Sequence, residues 1–556
     1  MNSLTILTTP PFNLSKEKAD SLIKTIEDMT VAEKVGQLFF LLHSEMLTKQ
    51  DSFQQLKTYK PGGLMFRPTT QSVIDEVIDF AATNLPIQPF FSANIESGIN
   101  ALLAHETGYG SAMLLSATNH DHLVKKAVTD MAQTASHVGV NMTFSPVTDL
   151  QLNPDNPITG TRSFGDQVAH VIQHSQSFIN SFLEQQILPV IKHFPGDGVD
   201  NRDQHLLPSI NSLSFENWLE TYGKVYQTLI DNGAPCIMAG HILLPEYERK
   251  VCPDIADNDL KPATLSPLLL KKLLRTELGF NGLIITDASN MGGFNSFYPR
   301  KKAIVASIKA GCDMLLFTAD LAEDYQAIHQ AVIDEVITPE RLTEAITRIL
   351  GTKALLKSLD KKGLPSLSET PEDLKQAVAD EGITLVKNEI SFDKLDIKKH
   401  QHILLLDRHN GNSVGDQVMP ILEAEGFKVT KPEVSDTAFA LDAIIGNRQK
   451  FKETYDLILY TMNFQGKSNQ VTNRLDFGMP MAQFVPLFTK EIPTIMISFG
   501  NPYHLVDAPR VPVYINTYSD QPQVVTATID KLLGKSPFRG KSPVDAFCGR
   551  FDTRCY

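Results

Sequence analysis

Short apolar runs recur along the first two thirds of the chain, and segments with helical spacing lie between them. The runs cover residues 35–42, 63–66, 89–93, 140–144, 188–191, 236–239, 283–285 and 314–317, and turn residues bound them. Their apolar positions are continuous rather than alternating, which is typical of parallel strands buried on both faces. Eight such strands alternating with helices predict a TIM (β/α)8 barrel.

A second α/β pattern follows the barrel. A helical segment over 339–357 is succeeded by a stretch containing Lys, Pro and Ser, which indicates a boundary. Apolar runs at 383–387, 403–406, 457–461, 494–498 and 513–516 then alternate with helical patterns at 418–425, 481–490 and 523–533. These predict an open, mostly parallel sheet. We therefore predict a barrel domain over 1–360, a linker over 361–375 and a smaller C-terminal α/β sandwich domain over 376–556.

Composition narrows the classes of protein that fit. The net charge of −13 argues against nonspecific binding to nucleic acid. Residues 1–16 lack the basic segment and apolar core of a signal peptide, and no stretch reaches membrane-spanning length, so we expect a cytoplasmic protein without a membrane partner. Five cysteines, few and odd in number, favour reduced thiols, although Cys548 and Cys555 could pair. No Gly-x-Gly-x-x-Gly follows a predicted strand, so no dinucleotide cofactor is expected.

The most informative polar cluster lies after the fifth apolar run, at Lys192-His193-Phe194-Pro195-Gly196 and Asp203-Gln204-His205. The Asp203 carboxylate could accept from one ring nitrogen of His205, which fixes the tautomer and leaves the other nitrogen to exchange a proton. A histidine that only packs or lies at the surface is the alternative. Lys192 and His193 could likewise form a strand-end ion pair or a core contact. Both reach one ligand only if the strand twists or bulges, because neighbours on a strand face opposite sides.

Other polar side chains follow the remaining strands, at the end where such barrels hold their active sites. They are Asn94, Glu96, Arg162, His241 and Asp287. Asp287 ends the seventh apolar run and could instead cap the next helix. Arg162 could form a salt bridge within its loop, and Glu96 could be a partner of Lys192.

A metal centre is not predicted. The segment from His193 to His205 lacks the cysteine or His-x-x-x-His ligand pattern of a zinc site. Asp197, Asp200, Asp203 and His205 could in principle meet a divalent ion. We expect neither a metal nor another cofactor.

Five segments together carry a resemblance to a known family. They are Met29–Leu38, Asn156–Gly165, Lys192–His205, Gly382–Asn388 and Phe538–Val544. The chain resembles glycoside hydrolase family 3, in its β-N-acetylglucosaminidase (β-N-acetylhexosaminidase) branch. Segment 156–165 is similar to the family's Asn-Pro-x-x-x-Thr-Arg-Ser-Phe-Gly element. Asp203 and His205 match the Asp-x-His dyad of that branch, and Asp287 falls where the family keeps its nucleophilic aspartate.

The resemblance implies a retaining glycoside hydrolase that removes terminal β-linked N-acetylglucosamine through a covalent intermediate on Asp287. It implies that His205 is the acid/base and that Asp203 orients it. Arg162, Lys192, His193 and Asn94 are then expected to bind the hydroxyl and acetamido groups of the carbohydrate substrate. We expect a monomer or a homodimer.

Departures from the family pattern leave other activities open. The branch usually has His where Asp197 stands, with Val199 and Asp200 in place of its Asp-Thr. Asn94 replaces an aspartate, and Ile99 replaces an arginine. The alternatives are a family 3 β-glucosidase or β-xylosidase, a β-N-acetylglucosaminide phosphorylase in which phosphate replaces water, and a sugar-binding protein without catalytic activity.

Overall fold

A computed structural model describes residues 2–43, 47–359, 369–471, 473–478 and 484–554. The chain divides into two compact units, one formed by 1–107, 128–150 and 168–366 and the other by 108–127, 151–167 and 367–556. The residue ranges expected for the domains stay predictions, and most of the expected linker 361–375 lies outside the described residues.

The first unit contains a barrel of eight parallel strands. These are β1 Phe39–Leu42, β2 Gly63–Met65, β3 Phe90–Ala93, β4 Met142–Thr143, β5 Leu188–Phe194, β6 Cys236–Ala239, β7 Leu283–Thr286 and β8 Leu315–Leu316. Their order is β8-β1-β2-β3-β4-β5-β6-β7, and an Ile285–Met314 bridge beside β8 closes the ring. The barrel predicted from the eight apolar runs is confirmed.

The extents of β1 and β5 differ from those of their apolar runs for identifiable reasons. A capping box between Thr30 and Glu33 begins helix Val31–Gln37, so β1 starts only at Phe39. Strand β5 continues past its apolar part to Phe194 and therefore includes Lys192 and His193. Its pairing with β6 shifts register between Ile191 and Phe194, the irregularity needed for these two neighbours to share a site.

Helices surround the strands of this part of the chain. The α-helices are Ser3–Thr8, Lys16–Asp28, Val31–Gln37, Lys49–Tyr59, Gln71–Asn84, Asp121–Val138, Val168–Leu183, Phe215–Trp218, Lys224–Asp231, Pro245–Val251, Gly292–Asn295, Arg300–Ala310, Leu321–Ile333 and Pro339–Ser358. Leu219–Gly223 and Leu268–Glu277 are π-helical, and Ile99–Ala101, Asp257–Asp259 and Ala263–Leu265 are 3-10 turns. A short parallel pair joins Ser209–Ile210 to Ile242–Leu243.

Buried arginines surround one aspartate at the amino-terminal ends of the strands. Asp313, just before β8, accepts from Arg275 at 2.8 Å and from Arg341 at 2.7 Å, and Arg348 lies 4.0 Å away. Asp313 also accepts the N–H of Ile284 in β7. Because each charge has opposite charges or hydrogen-bond partners nearby, the cluster ties helices to strands without leaving an unpaired buried ion. We call it the arginine cluster.

The second unit is built on a six-stranded sheet. Its strands are β9 Thr384–Asn388, β10 His402–His409, β11 Lys428–Thr430, β12 Leu457–Asn463, β13 Thr494–Ser498 and β14 Val513–Asn516. The order is β9-β14-β13-β12-β10-β11, and only β9 is antiparallel to its neighbour. The open, mostly parallel sheet predicted from sequence is confirmed.

The second unit has six α-helices among the residues described. They are Ala112–Ala117, Pro371–Gly382, Gly415–Ala424, Thr437–Ile445, Arg448–Thr454 and Pro522–Leu532, with 3-10 turns at Gly160–Arg162, His504–Val506 and Phe551–Thr553. The helix predicted over 481–490 is not found in its described part, 484–490. No helix in the described ranges of the whole chain is long and apolar enough to span a bilayer.

Candidate functional site

The carboxyl-terminal half of β5 places His193 between two carboxylates. His193 donates its backbone N–H to Oδ1 of Asp149 at 3.1 Å and its Nδ1–H to Oδ2 at 2.7 Å. A carboxylate only accepts, so Nδ1 must carry the proton. The other ring nitrogen, Nε2, lies 3.8 Å from Oδ2 of Asp287. Asp149 therefore fixes the orientation in which His193 faces Asp287.

Lys192 lies beside two residues that follow β3. Its ammonium is 2.7 Å from Oε1 of Glu96 and donates to Oδ1 of Asn94 at 3.4 Å. The Lys192 side chain is 3% exposed, so its charge is largely removed from water and the Glu96 carboxylate offsets that cost. The structure thus brings Asn94, Lys192 and His193 together, and Glu96 is the ion-pair partner of Lys192.

Asp287 directly follows β7 and is held on both sides. Its backbone N–H donates to the carbonyl of Ala239 in β6, and its Oδ1 accepts the N–H of Ala288 at 2.6 Å. Burial by itself would raise the pKa of Asp287, but the imidazoles of His193, His241 and His205 and the Ala288 N–H together lower it. The side chain is therefore kept as a carboxylate at neutral pH.

His241, after β6, bridges two elements of the barrel rim. Its Nε2 lies 3.0 Å from the carbonyl of Ala288, which can only accept, so Nε2 carries the proton. Its Nδ1 lies 3.0 Å from the hydroxyl of Thr264. Burial lowers the pKa of His241, and the Asp287 charge only partly opposes that effect. Through its Nε2–H, His241 thus holds the segment next to Asp287.

The loop after β5 carries the predicted dyad. Asp203 Oδ1 accepts both the Nδ1–H of His205 at 2.6 Å and the backbone N–H of His205 at 2.8 Å. The Asp203 side chain is fully buried, whereas that of His205 is 28% exposed. A buried carboxylate that fixes Nδ1 directs proton exchange to Nε2 of the partly exposed ring.

The dyad loop is anchored to the segment that follows Asp287. The N–H of Gly292 donates to the His205 carbonyl at 2.8 Å, and the N–H of Gly293 donates to the Gln204 carbonyl at 3.1 Å. The His205 imidazole also contributes to lowering the pKa of the Asp287 carboxyl. The loop after β5 and the end of β7 therefore form one site.

Most of the predicted site residues converge at this rim, and one falls elsewhere in the chain. Arg162 ends a 3-10 turn in segment 151–167 of the second unit, so its role toward the sugar stays a prediction. Asp287 does not cap the next helix, Gly292–Asn295, which has no side-chain cap. Its carboxylate accepts instead from the N–H of its immediate neighbour Ala288. Asp149 and Gln204 were not predicted as site residues, although Asp149 follows β4 and that position was the available signal.

Within the described ranges, no group of three or more His, Cys, Asp or Glu side chains is placed to hold a metal ion. Asp197 and Asp200, the other acids considered as ligands, have separate partners. Asp197 accepts from Gln204, and Asp200 accepts from Arg202 and from the N–H of Ile210. Their contacts hold the loop rather than converge on one point.

Comparison with known proteins assigns the family. Residues 30–352 match the model of the glycosyl hydrolase family 3 N-terminal domain. A protein from Cellulomonas fimi named β-N-acetylglucosaminidase/β-glucosidase is 38% identical, over 98% of this chain and 99% of its own. The solved structure of β-glucoside phosphorylase BglX is similar with a TM-score of 0.90 at 36% identity and covers 100% of both chains.

A more distant solved structure has the same fold. The family 3 β-N-acetylglucosaminidase from Paenibacillus sp. str. FPU-7 aligns with a TM-score of 0.77 at 22% identity, over 94% of this chain and 100% of its own. The family match spans more than half of the chain, and the Cellulomonas relative is similar along its whole length. The chain therefore belongs to glycosyl hydrolase family 3 and is a glycoside-cleaving enzyme.

Proposed function

We propose that the enzyme removes terminal β-linked N-acetylglucosamine by a retaining, two-step mechanism with Asp287 as nucleophile and the Asp203–His205 pair as acid/base. The observation that carries this proposal is the position of Asp287. It is a buried carboxylate with a lowered pKa, and three imidazoles act on it, one of which belongs to the dyad. A nucleophile ionised at neutral pH next to a proton carrier is what double displacement at an anomeric carbon requires.

In the first step, Oδ2 of Asp287 attacks the anomeric carbon. Oδ1 already accepts from Ala288, so Oδ2 is the atom directed toward His193 and the substrate. The bond to the leaving oxygen breaks as Nε2–H of His205 gives that oxygen its proton. The products are a glycosyl ester on Asp287 and the released alcohol.

In the second step, His205 acts as the base. Its Nε2 takes a proton from water as the water oxygen attacks the anomeric carbon from the face that the leaving group occupied. The ester bond breaks, which returns Asp287 to its ionised form and retains the anomeric configuration. Asp203 stabilises the imidazolium that forms when His205 accepts the proton.

The sugar hydroxyl and acetamido groups are assigned to Lys192, His193 and Asn94, together with Arg162. His193 is supported by the approach of its Nε2 to Asp287, and both Lys192 and His193 by their fixed partners, Glu96 and Asp149. Side chains locked by buried partners lose little freedom on binding, which favours a preorganised sugar site.

Phosphorolysis is the second candidate activity. The chain is similar over its full length to β-glucoside phosphorylase BglX, in which the acceptor named is phosphate rather than water. In the second step the acid/base here is an imidazole, which is uncharged once it has lost its proton. It therefore repels an incoming phosphate less than a glutamate would. The same glycosyl ester on Asp287 would then be released as a sugar phosphate of retained configuration.

Trapping the ester tests the shared first step. An activated fluorinated glycosyl donor of the N-acetylglucosamine or glucose series should add one glycosyl unit to the peptide that contains Asp287, seen by mass spectrometry. Asp287→Asn should add none and should lose about 10⁴-fold or more in kcat. A label on another residue, or near-normal turnover by Asp287→Asn, contradicts the assignment.

A substrate panel separates the candidates. The enzyme is assayed with aryl β-N-acetylglucosaminides and with aryl β-glucosides, each with and without inorganic phosphate. The anomeric configuration of the products is followed by NMR. Faster turnover of the N-acetylglucosaminide and free sugar as product support hydrolysis as proposed. A sugar phosphate that forms only when phosphate is present supports the second candidate.

A further inference from the structure

Gln204 lies between the two members of the dyad, and its side chain points away from them into the protein. It is 1% exposed. Its Nε2 donates to Oδ2 of Asp197 at 3.1 Å, and its Oε1 accepts the backbone N–H of His241 at 2.8 Å. Both ends of the amide are thus engaged by buried groups of the same unit.

Asp197 is itself fixed, so it is a rigid partner for Gln204. Its Oδ1 accepts the N–H of Gly198 at 2.8 Å and lies 3.4 Å from the Ser209 hydroxyl. Its backbone N–H donates to Asp149, the residue that orients His193.

His241 connects the other end of Gln204 to the nucleophile. Its backbone N–H holds Gln204, and its ring holds the carbonyl of Ala288, next to Asp287. His241 therefore contacts both the dyad loop and the segment next to Asp287. The bond from Gln204 to His241 is the side-chain link between the two, beside the backbone bonds from Gly292 and Gly293.

The backbone of the dyad loop also packs closely on the segment after Asp287. A Cβ added at Gly293 would lie 2.6 Å from the Gln204 carbonyl. This close approach leaves the loop little room to settle in another way while the Gln204 side chain stays in its place.

We propose that Gln204 is a positioning residue that holds the acid/base loop, through Asp197 and His241, at the distance from Asp287 that proton transfer to the leaving group requires. This inference rests on the proposed function, since it assumes that His205 is the acid/base. The expected consequence is selective: loss of the Gln204 bonds impairs the steps that need proton transfer and spares attack by Asp287.

Gln204→Met tests the proposal because methionine is similar in shape and makes neither bond. The readout is kcat/KM for aryl glycosides of good and poor leaving group, of whichever sugar the enzyme turns over. We expect a loss of about 10-fold or more for the phenyl glycoside and less than about 2-fold for the dinitrophenyl glycoside, which leaves without a proton. Gln330→Met, at an exposed glutamine bonded to Asp334, is the matched control and should change neither.

If Gln204→Met folds poorly, exchanging the carboxylate and the amide between positions 197 and 204 provides a second test. Gln204→Glu places two carboxylates face to face and should show the same selective loss. Adding Asp197→Asn restores both bonds, because Asn can donate to Glu while Glu still accepts from His241, and Asn keeps an oxygen for Gly198. We expect the double variant Asp197→Asn/Gln204→Glu to recover to within about 3-fold of wild type for the phenyl glycoside.

His205→Ala separates failure of this inference from failure of the proposed function. If His205→Ala slows both leaving groups equally, His205 is not the acid and the proposed function fails. If His205→Ala is selective but Gln204→Met slows both substrates equally or neither, the positioning role of Gln204 alone is overturned. Absence of rescue in the double variant overturns it as well.

Discussion

The Nδ1 atom of His193 lies 2.7 Å from Oδ2 of Asp149, a residue with no exposed surface. This contact directs Nε2 of His193 toward Asp287, whose pKa is lowered by the charge of the imidazole. Asp149 therefore acts on the proposed nucleophile through a second residue, without contacting it.

Asp149→Asn should test that indirect action. An amide NH₂ facing Nδ1 disfavours the tautomer with a proton on Nδ1, so the imidazole no longer faces Asp287 in the same way and lowers the pKa of that carboxyl less. We expect kcat/KM at neutral pH to fall by about 10²-fold. The acid limb of the kcat/KM profile should move to higher pH, because Asp287 then ionises less readily. Asp257→Asn, at an exposed aspartate, is the control. An acid limb at the wild-type pH would contradict the link.

The ion pair of Lys192 gives a second prediction. Lys192→Met removes a buried ammonium and leaves the Glu96 carboxylate, which lies 2.7 Å away and is 18% exposed. We expect kcat/KM to fall by about 10²-fold because Lys192 is assigned to the sugar, and the free energy of unfolding to fall as well, since the removal of one partner of a buried pair costs about 3 kcal/mol or more. Lys301→Met is the matched control, because its partner Glu323 is 3.8 Å away and both side chains are well exposed. Equal effects of the two substitutions on steady-state kinetics would show that burial of the pair is irrelevant.

Close packing at Gly292 leads to a third prediction. A Cβ there would lie 2.2 Å from the carbonyl oxygen of Leu206, a backbone atom that cannot rotate away. Gly292→Ala should push the dyad loop from Asp287 and lower kcat/KM for a poor leaving group by about 10-fold, with a smaller effect on an activated one. Gly411→Ala is a fair control, because its Cβ would meet only the flexible end of Lys467. Unchanged kinetics in Gly292→Ala would show that the dyad loop can accommodate the added Cβ without moving away from Asp287.

A buried histidine of the second unit predicts sensitivity to acid. His504 has no exposed surface, and among the described residues neither ring nitrogen has a hydrogen-bond partner. Burial lowers its pKa to about 4 from an ordinary value of 6.5. Unfolding therefore takes up a proton between these pH values, so the free energy of unfolding falls as the pH is lowered from about 6.5 to about 4.

His504→Leu should remove this dependence. Between pH 7 and pH 4.5, the free energy of unfolding of the full chain, measured with urea, should fall by about 2 to 3 kcal/mol more in wild type than in the variant. His122→Leu, at an exposed histidine, should behave as wild type. If wild type and His504→Leu lose stability in parallel, protonation of His504 does not contribute.

The barrel could be predicted from the sequence because an apolar run marks each of its strands, and the contact between Asp203 and His205 could be predicted because they are two residues apart. The contact between His193 and Asp149 could not be predicted. Asp149 and His193 are 44 positions apart, and their contact depends on the pairing of β4 with β5. The start of β1 was missed because Val35 is apolar in a helix as it would be in a strand, and the Thr30 cap decides between them.

The contacts of Gln204 could not be predicted from the sequence for a different reason. In the sequence it is one polar residue between two others, and nothing in its spacing indicates that its amide would reach Asp197 and His241. A long side chain can turn inward or outward from a loop with no periodicity to reveal the choice. Such a contact is visible only once the loop has been placed.

The arginine cluster lies at the end of the barrel remote from Asp287, and it draws its members from both the strands and the outer helices. The charged cluster that ties helices to strands and the residues proposed for catalysis thus lie at opposite ends of the barrel. Substitutions at the rim around Asp287 therefore need not disturb the cluster that ties the helices to the strands.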